Sequence, residues 1–285
     1  MFFDKIGTSI ELAKTSWGIL MDDKKLLLFP VLSGIITLLV VISFILPIVL
    51  TGTALSLTTL GPVSSVVLVF LFYLASYFVV IFFNVGLITC VHAKLQGKDM
   101  TVREGIDNAV RHIGSIFVWA VIAATVGLIL RGIEDRAGFI GQIATALVGG
   151  VWSLVTIFVL PVMIFEEKGV GTSLRESFAL FRRTWGESAV GSISIALVFM
   201  AVGAVGVLLL IGAFFTGNAI VIMAGIALFV ILIAVLSVLY AAMQGIFMVT
   251  LYTYAKTGSV PSAFRKDLIE GAFAPGQRFM GPGNI

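Results

Sequence analysis

Two stretches of this chain, Leu26 to Val91 and Ser188 to Ala255, contain no Asp, Glu, Lys or Arg. A third, Ile113 to Phe165, contains them only between Arg131 and Arg136. A helix needs roughly 20 apolar residues to cross a hydrocarbon core about 30 Å thick, so each block accommodates two crossings and a turn. The reading is all-α: a polytopic membrane protein of six transmembrane helices. Hydrophobic residues make up 59% of the chain and charged ones 12%, against roughly 25% charged in soluble domains, and the mean hydropathy is +1.14. A soluble core could not hide that much apolar surface. The run beginning at Leu26 is too long for a signal-peptide core and lacks a small-residue cleavage site, so it is expected to stay in the mature protein.

The distribution of basic residues orients the helices. Of the 18 Lys and Arg, only Arg131 and Arg136 fall between the two spans of a block; the others lie before, between and after the blocks. The positive-inside bias places both termini and the long loops in the cytoplasm of a multi-pass cell-membrane protein. A third span in the last block would put Lys256, Arg265 and Lys266 outside, so that block is expected to hold a long or tilted sixth helix.

The chain also repeats itself. Thr8 with Glu11, Thr101 with Glu104, and Ser173 with Glu176 each set a hydroxyl three residues before a carboxylate, the spacing of a capping box at a helix start. Apolar residues follow at intervals of three and four: Ala13, Trp17 and Leu20; Ile106, Val110 and Ile113; Phe178, Phe181 and Trp185. Phe83 to Thr89, Phe158 to Ile164 and Phe247 to Thr253 each close a block, and Gly97, Gly169 and Gly258 follow as expected helix stops. The expected unit is a cytoplasmic amphipathic helix followed by a transmembrane hairpin, used three times within one domain, 1–285. The repeats cover about 1–96, 97–168 and 169–258, with a cytoplasmic tail over 259–285. A fourth amphipathic start, Ser262 to Phe273, has Arg265 where a box needs a carboxylate. Small residues four apart, Gly149 with Ser153 and Ala241 with Gly245, read as helix-packing seams. Pro30, Pro47 and Pro161 fall near span ends, where a missing amide costs least.

Chemistry is sparse. A mid-membrane ionisable residue would point to a proton relay or ion site, and none is in a clear position. Asn84, Gln142 and Gln244 are the polar exceptions: each could line a path, or bond across helices to hold the bundle. His92, His112, Cys90 and Asp107 lack the ligand spacing of structural zinc. Cys90 reads as a buried small hydrophobe, and Glu166 and Glu167, about 100° apart on a helix, as solvated residues ending the fourth span. No nucleophile elbow, phosphate-cradling loop or metalloprotease motif is present, so no catalytic, cofactor or metal site and no enzymatic activity is expected. In FEEKGVGTSLRESFALFRRTW, Arg175, Arg182 and Arg183 are placed to meet anionic headgroups while Leu174, Phe178, Phe181 and Trp185 enter the interface. Membrane lipid is the expected partner, with a homo-oligomer or membrane protein as another; nucleic acid is not.

The segment Gly171 to Ser177, the Trp at Trp185 and six spans together resemble an uncharacterised family of prokaryotic integral membrane proteins. They are more distantly similar to the membrane domains attached to some glycerophosphodiester phosphodiesterases, whose catalytic domain has no counterpart here. The resemblance implies a topology and no activity. Two roles follow from the residues: a non-enzymatic, self-associating or partner-binding protein whose amphipathic helices organise the membrane, or a pore or carrier for a small uncharged or lipidic solute.

Overall fold

The computed structural model describes residues 14–50 and 61–257, and these are helices joined by short turns. Helix α1 is described over residues 14–22. A 3-10 turn, Lys24–Leu27, capped by the Asp23 carboxylate, leads into α2 (Leu28–Leu50). Then come α3 (Gly61–Leu95), α4 (Val102–Arg111), α5 (Ile113–Val155), α6 (Val159–Phe165), α7 (Val170–Phe215) and α8 (Ala219–Thr257). Among the described residues, six segments are long and apolar enough to cross a membrane: Lys24–Pro47, Val63–Leu95, Ile113–Glu134, Gly141–Phe165, Val198–Phe215 and Ala219–Thr257.

Each apolar block folds back on itself. Phe44 meets Phe72 edge-on at 5.5 Å, pairing α2 with α3, and Phe199 meets Tyr240 at 5.6 Å, pairing α7 with α8. Helix α5 is helical along both arms, yet Trp119 stacks on Trp152 at 6.0 Å, where a straight helix would hold them roughly 50 Å apart. A Cβ on Gly149 would lie 3.7 Å from Leu130, so the chain reverses between these two residues, in the stretch that begins with the Arg131 to Arg136 cluster. The last block contains two helices, and α8 runs unbroken for 39 residues, roughly 58 Å.

The core sits at one end of the bundle. Phe83 to Ile88, Phe158 to Ile164 and Ile246 to Tyr252 supply most of the deeply buried side chains, with Leu20, Leu26 and Phe29 closing over them. This is the end that carries Lys24, Lys94, Lys168 and Lys256. Elsewhere the spans present apolar surface: Leu38, Leu147, Leu208 and Ile220 are each more than half exposed. Water would not tolerate this pattern, but a hydrocarbon solvent does, because apolar side chains gain nothing there by being hidden from it.

Several sequence expectations meet the coordinates. The box of Thr101 with Glu104 is formed: Thr101 N–H donates to Glu104 Oε2 at 2.7 Å, and Glu104 N–H donates to Thr101 Oγ1. The box of Ser173 with Glu176 is not. Helix α7 begins earlier, at Val170, so Ser173 lies inside its first turn and donates back to Lys168 O and Gly169 O. Glu176 instead meets two lysines. Gly97, with φ +74°, closes α3 as expected, whereas Gly169 is extended and caps α7; the left-handed residue after α6 is Glu167, φ 51°. Thr8, Glu11, Gly258 and the Ser262 to Phe273 start lie outside the described residues.

The prolines fall near span ends as expected: Pro30 is in the first turn of α2, Pro47 is in its last turn, and Pro161 lies four residues from the end of the fourth span, after a break at residues 156–158. Pro161 has no amide to offer the carbonyl of Ile157, so the helix is already weakened there. Ser177 of α7 bridges the break: its Oγ donates to Val155 O at 2.6 Å and accepts from Phe158 N–H at 3.1 Å. Backbone groups that lipid could not satisfy are thereby paired by a side chain from the next helix.

Candidate functional site

Helices α2, α3 and α8 all pack against one another, and an open space remains among them. The space enclosed is a groove of about 810 Å³ lined by Phe29 to Leu38 of α2, Val80 to Leu87 of α3 and Ala234 to Met248 of α8. Along α8 this runs 14 residues, roughly 21 Å, or about two thirds of a hydrocarbon core. Gly34, Ile35 and Leu38 on one wall and Ala234, Ser237 and Ala241 on the other are exposed, so the groove opens sideways.

Small residues make the shape. A Cβ on Gly245 would meet Leu87 at 2.6 Å and Asn84 Oδ1 at 3.9 Å, so α8 approaches α3 closely at this point and brings Gln244 alongside Asn84. Gly245 thus serves as a packing seam within the chain, while Ala241, one turn earlier, lines the groove. A Cβ on Gly34 would meet nothing within 4 Å, leaving that wall open.

The lining is apolar apart from Ser33, Thr37, Asn84, Ser237 and Gln244, and it contains no Asp, Glu, Lys, Arg or His. Gln244 Nε2 donates to the Tyr240 hydroxyl at 2.9 Å. Thr37 Oγ1 is buried and has no hydrogen-bond partner, and the half-buried Asn84 amide bonds to no described residue. A buried polar group left unpaired costs on the order of 1–3 kcal/mol, so Thr37 Oγ1, facing the groove, calls for a compensating contact. Of the three amides singled out in the sequence, Asn84 and Gln244 come together here; Gln142 is exposed on the second arm of α5 and does not line the groove.

A second polar feature lies at the charged end. Glu166, which caps α6, accepts from Lys168 at 2.7 Å, Lys256 at 2.8 Å and the Tyr252 hydroxyl at 2.6 Å. Lys168 also bonds Glu176 at 2.6 Å. Burial pushes the Glu166 carboxyl up, but the hydrogen bonds from Lys168, Lys256 and Tyr252 outweigh it and hold the group down at about 2. The sequence expectation that Glu166 simply faces water is therefore corrected: its side chain is 18% exposed and ties α6, α7 and α8 together. Sequence spacing gave no sign of this cluster, since Glu166 and Tyr252 are 86 positions apart.

The remaining candidates have structural roles. His92 stacks on Phe165 at 4.1 Å, and His112 caps α4 through Asn108 O. Cys90 is buried, its thiol directed at Thr101 O. No group of residues suited to a metal ion is present among the described residues. Arg175 and Arg182 are exposed on α7 with Phe178 between them on the same face, opposite buried Ser173, Ser177 and Leu180. The side chains of Arg183 and Trp185 lie outside the described residues.

A protein-family model described as a family of unknown function, DUF6159, matches residues 63–262. The chain belongs to this family. The matched residues of this DUF6159 member include the α3 and α8 walls of the groove and the Glu166 cluster, while the α2 wall precedes them. No curated protein and no solved structure matches the chain. The distant likeness to phosphodiesterase membrane domains rests on the sequence motif alone.

Proposed function

We propose that this protein is a non-enzymatic binder or carrier of a lipidic molecule, which enters the groove between α2 and α8 sideways from the bilayer. The observation that carries this reading is the groove itself. Its volume falls within the roughly 300–1,000 Å³ of small-molecule sites, its walls are apolar, and a few polar groups converge inside it. Its polar groups are hydroxyls and amides without an ionisable neighbour, which supports binding over catalysis.

Filling the groove tests the reading. A Cβ at Gly34 meets nothing within 4 Å and the substitution removes a helix-interior glycine, so Gly34→Phe is expected to preserve folding. In native mass spectrometry of protein extracted in mild detergent, the wild type is expected to retain one lipidic molecule and Gly34→Phe to lower its occupancy at least tenfold. A wild type that retains none, or a variant with equal occupancy, would overturn the proposal.

The exposed stripe of Arg175, Phe178 and Arg182 favours a second reading, in which α7 also contacts anionic headgroups at the membrane surface. Each such charge contributes about 1 kcal/mol near an anionic leaflet. Replacing both arginines by Gln is expected to reduce phosphatidylserine enrichment around the protein in mixed nanodiscs roughly tenfold at low salt, with less effect at high salt. Equal enrichment would remove this contact. On both readings the basic end faces the cytoplasm, and three units of amphipathic helix plus hairpin build the bundle. What supports the repeat is that its three closing runs meet in one core.

A further inference from the structure

We infer that the groove selects an uncharged amphiphile and holds its polar end on Asn84 of α3 and Thr37 of α2. This rests on the lipid-binding reading above and adds the class of ligand and its orientation. Position is the first consideration. The Phe29 ring lies against Gly86 where α4 crosses α3. Asn84, two residues from Gly86, is therefore roughly 3 Å along its helix from that crossing, and Thr37, eight residues beyond Phe29, roughly 12 Å.

Charge is the second. A phosphate or carboxylate drawn against this apolar lining needs a counter-charge, and the lining residues supply none. Lys168 and Lys256, which could have served, are committed to Glu166 and Glu176 at the far end of α8. A hydroxyl, ester or amide needs only a donor and an acceptor. Asn84 offers both, and Thr37 Oγ1 is already buried without a partner. The apolar walls then take the chain, which leaves through the open side between α2 and α8.

The test compares three photoactivatable probes with the same 18-carbon chain: a monoacylglycerol, the free fatty acid at pH 8 and the plain alkene. Each is presented to the full chain in zwitterionic nanodiscs. The monoacylglycerol is expected to label α2 and α8 about tenfold more efficiently than the alkene or the fatty acid. Combining Asn84→Leu with Thr37→Val should bring that preference close to one while the alkene still labels the groove. Equal labelling by monoacylglycerol and alkene in the wild type, or stronger labelling by the fatty acid, overturns this inference but leaves the lipid-binding reading intact. Absence of groove labelling by every probe overturns both. The wild-type comparison decides the matter even if the double variant does not fold.

Discussion

Replacing Gly105 by leucine is expected to abolish folding, and replacing it by alanine to cost about 2–3 kcal/mol. Helix α4 crosses α3 at this residue with almost no separation. A Cβ on Gly105 would lie 2.8 Å from Cys90 Sγ, 2.8 Å from Phe29 Cζ and 2.9 Å from the carbonyl oxygen of Gly86. The thiol and the ring could shift, but the Gly86 oxygen is backbone in the middle of α3. Phe29 has no easy retreat either, since its ring already lies 2.5 Å from where a Cβ on Gly86 would stand. Overpacking of this kind costs typically 1–3 kcal/mol for small additions, and leucine adds three more carbons to a site that cannot accept the first. Against a net stability on the order of 5–15 kcal/mol, that larger insult removes the folded state. Thermal unfolding in detergent checks the alanine variant, and loss of a monodisperse peak checks the leucine variant. Gly114→Ala, where a Cβ meets nothing within 4 Å, is the control and should gain about 0.5–1 kcal/mol. A Gly105→Ala protein as stable as the wild type would refute the close crossing.

Removing the charge at Glu166 is expected to cost about 2 kcal/mol at neutral pH and to change the acid limb of stability. Three donors, two from α8 and one from the connection before α7, converge on this carboxylate, and Gln can satisfy only part of them. The lysines are about a third exposed, so solvent screens the pairs and the cost falls below that of a fully buried bridge. The folded-state value of about 2 lies below the ordinary 4.5. The contribution is therefore fully present above pH 4.5 and is lost as the pH falls through 4.5 towards 2. Wild-type unfolding temperature should fall across this window, and Glu166→Gln should begin lower and lack that component of the decline. Identical pH profiles for the two proteins would show that the cluster does not hold α6, α7 and α8 together.

Much of the fold could be read from the order of residues because membrane insertion is a local decision. Long uncharged runs must enter hydrocarbon, a helix is the form that satisfies its own backbone there, and Arg131 to Arg136 mark where the second pair of arms reverses. The Thr101 box formed because its partners are three residues apart and nothing else competes for them. Glu176 has the same spacing from Ser173, yet Lys168 and Lys256 claimed it, and the helix began earlier.

The groove was half legible. Asn84 and Gln244 stood out as polar residues in apolar runs, but so did Gln142, and composition does not say which faces point inward. That depended on Gly245 letting α8 settle against Leu87, and on the open space left among α2, α3 and α8. The sequence by itself determined a chain of six apolar helical arms with their basic ends on one side, because transfer into lipid is governed by each segment's own composition. Tertiary structure alone decided that a cavity opens between α2 and α8 and that Glu166 fastens three helices. Both depend on which side chains meet across many turns of chain, and in a solvent as apolar as the helices themselves that choice rests on shape and hydrogen bonding rather than on hydrophobicity.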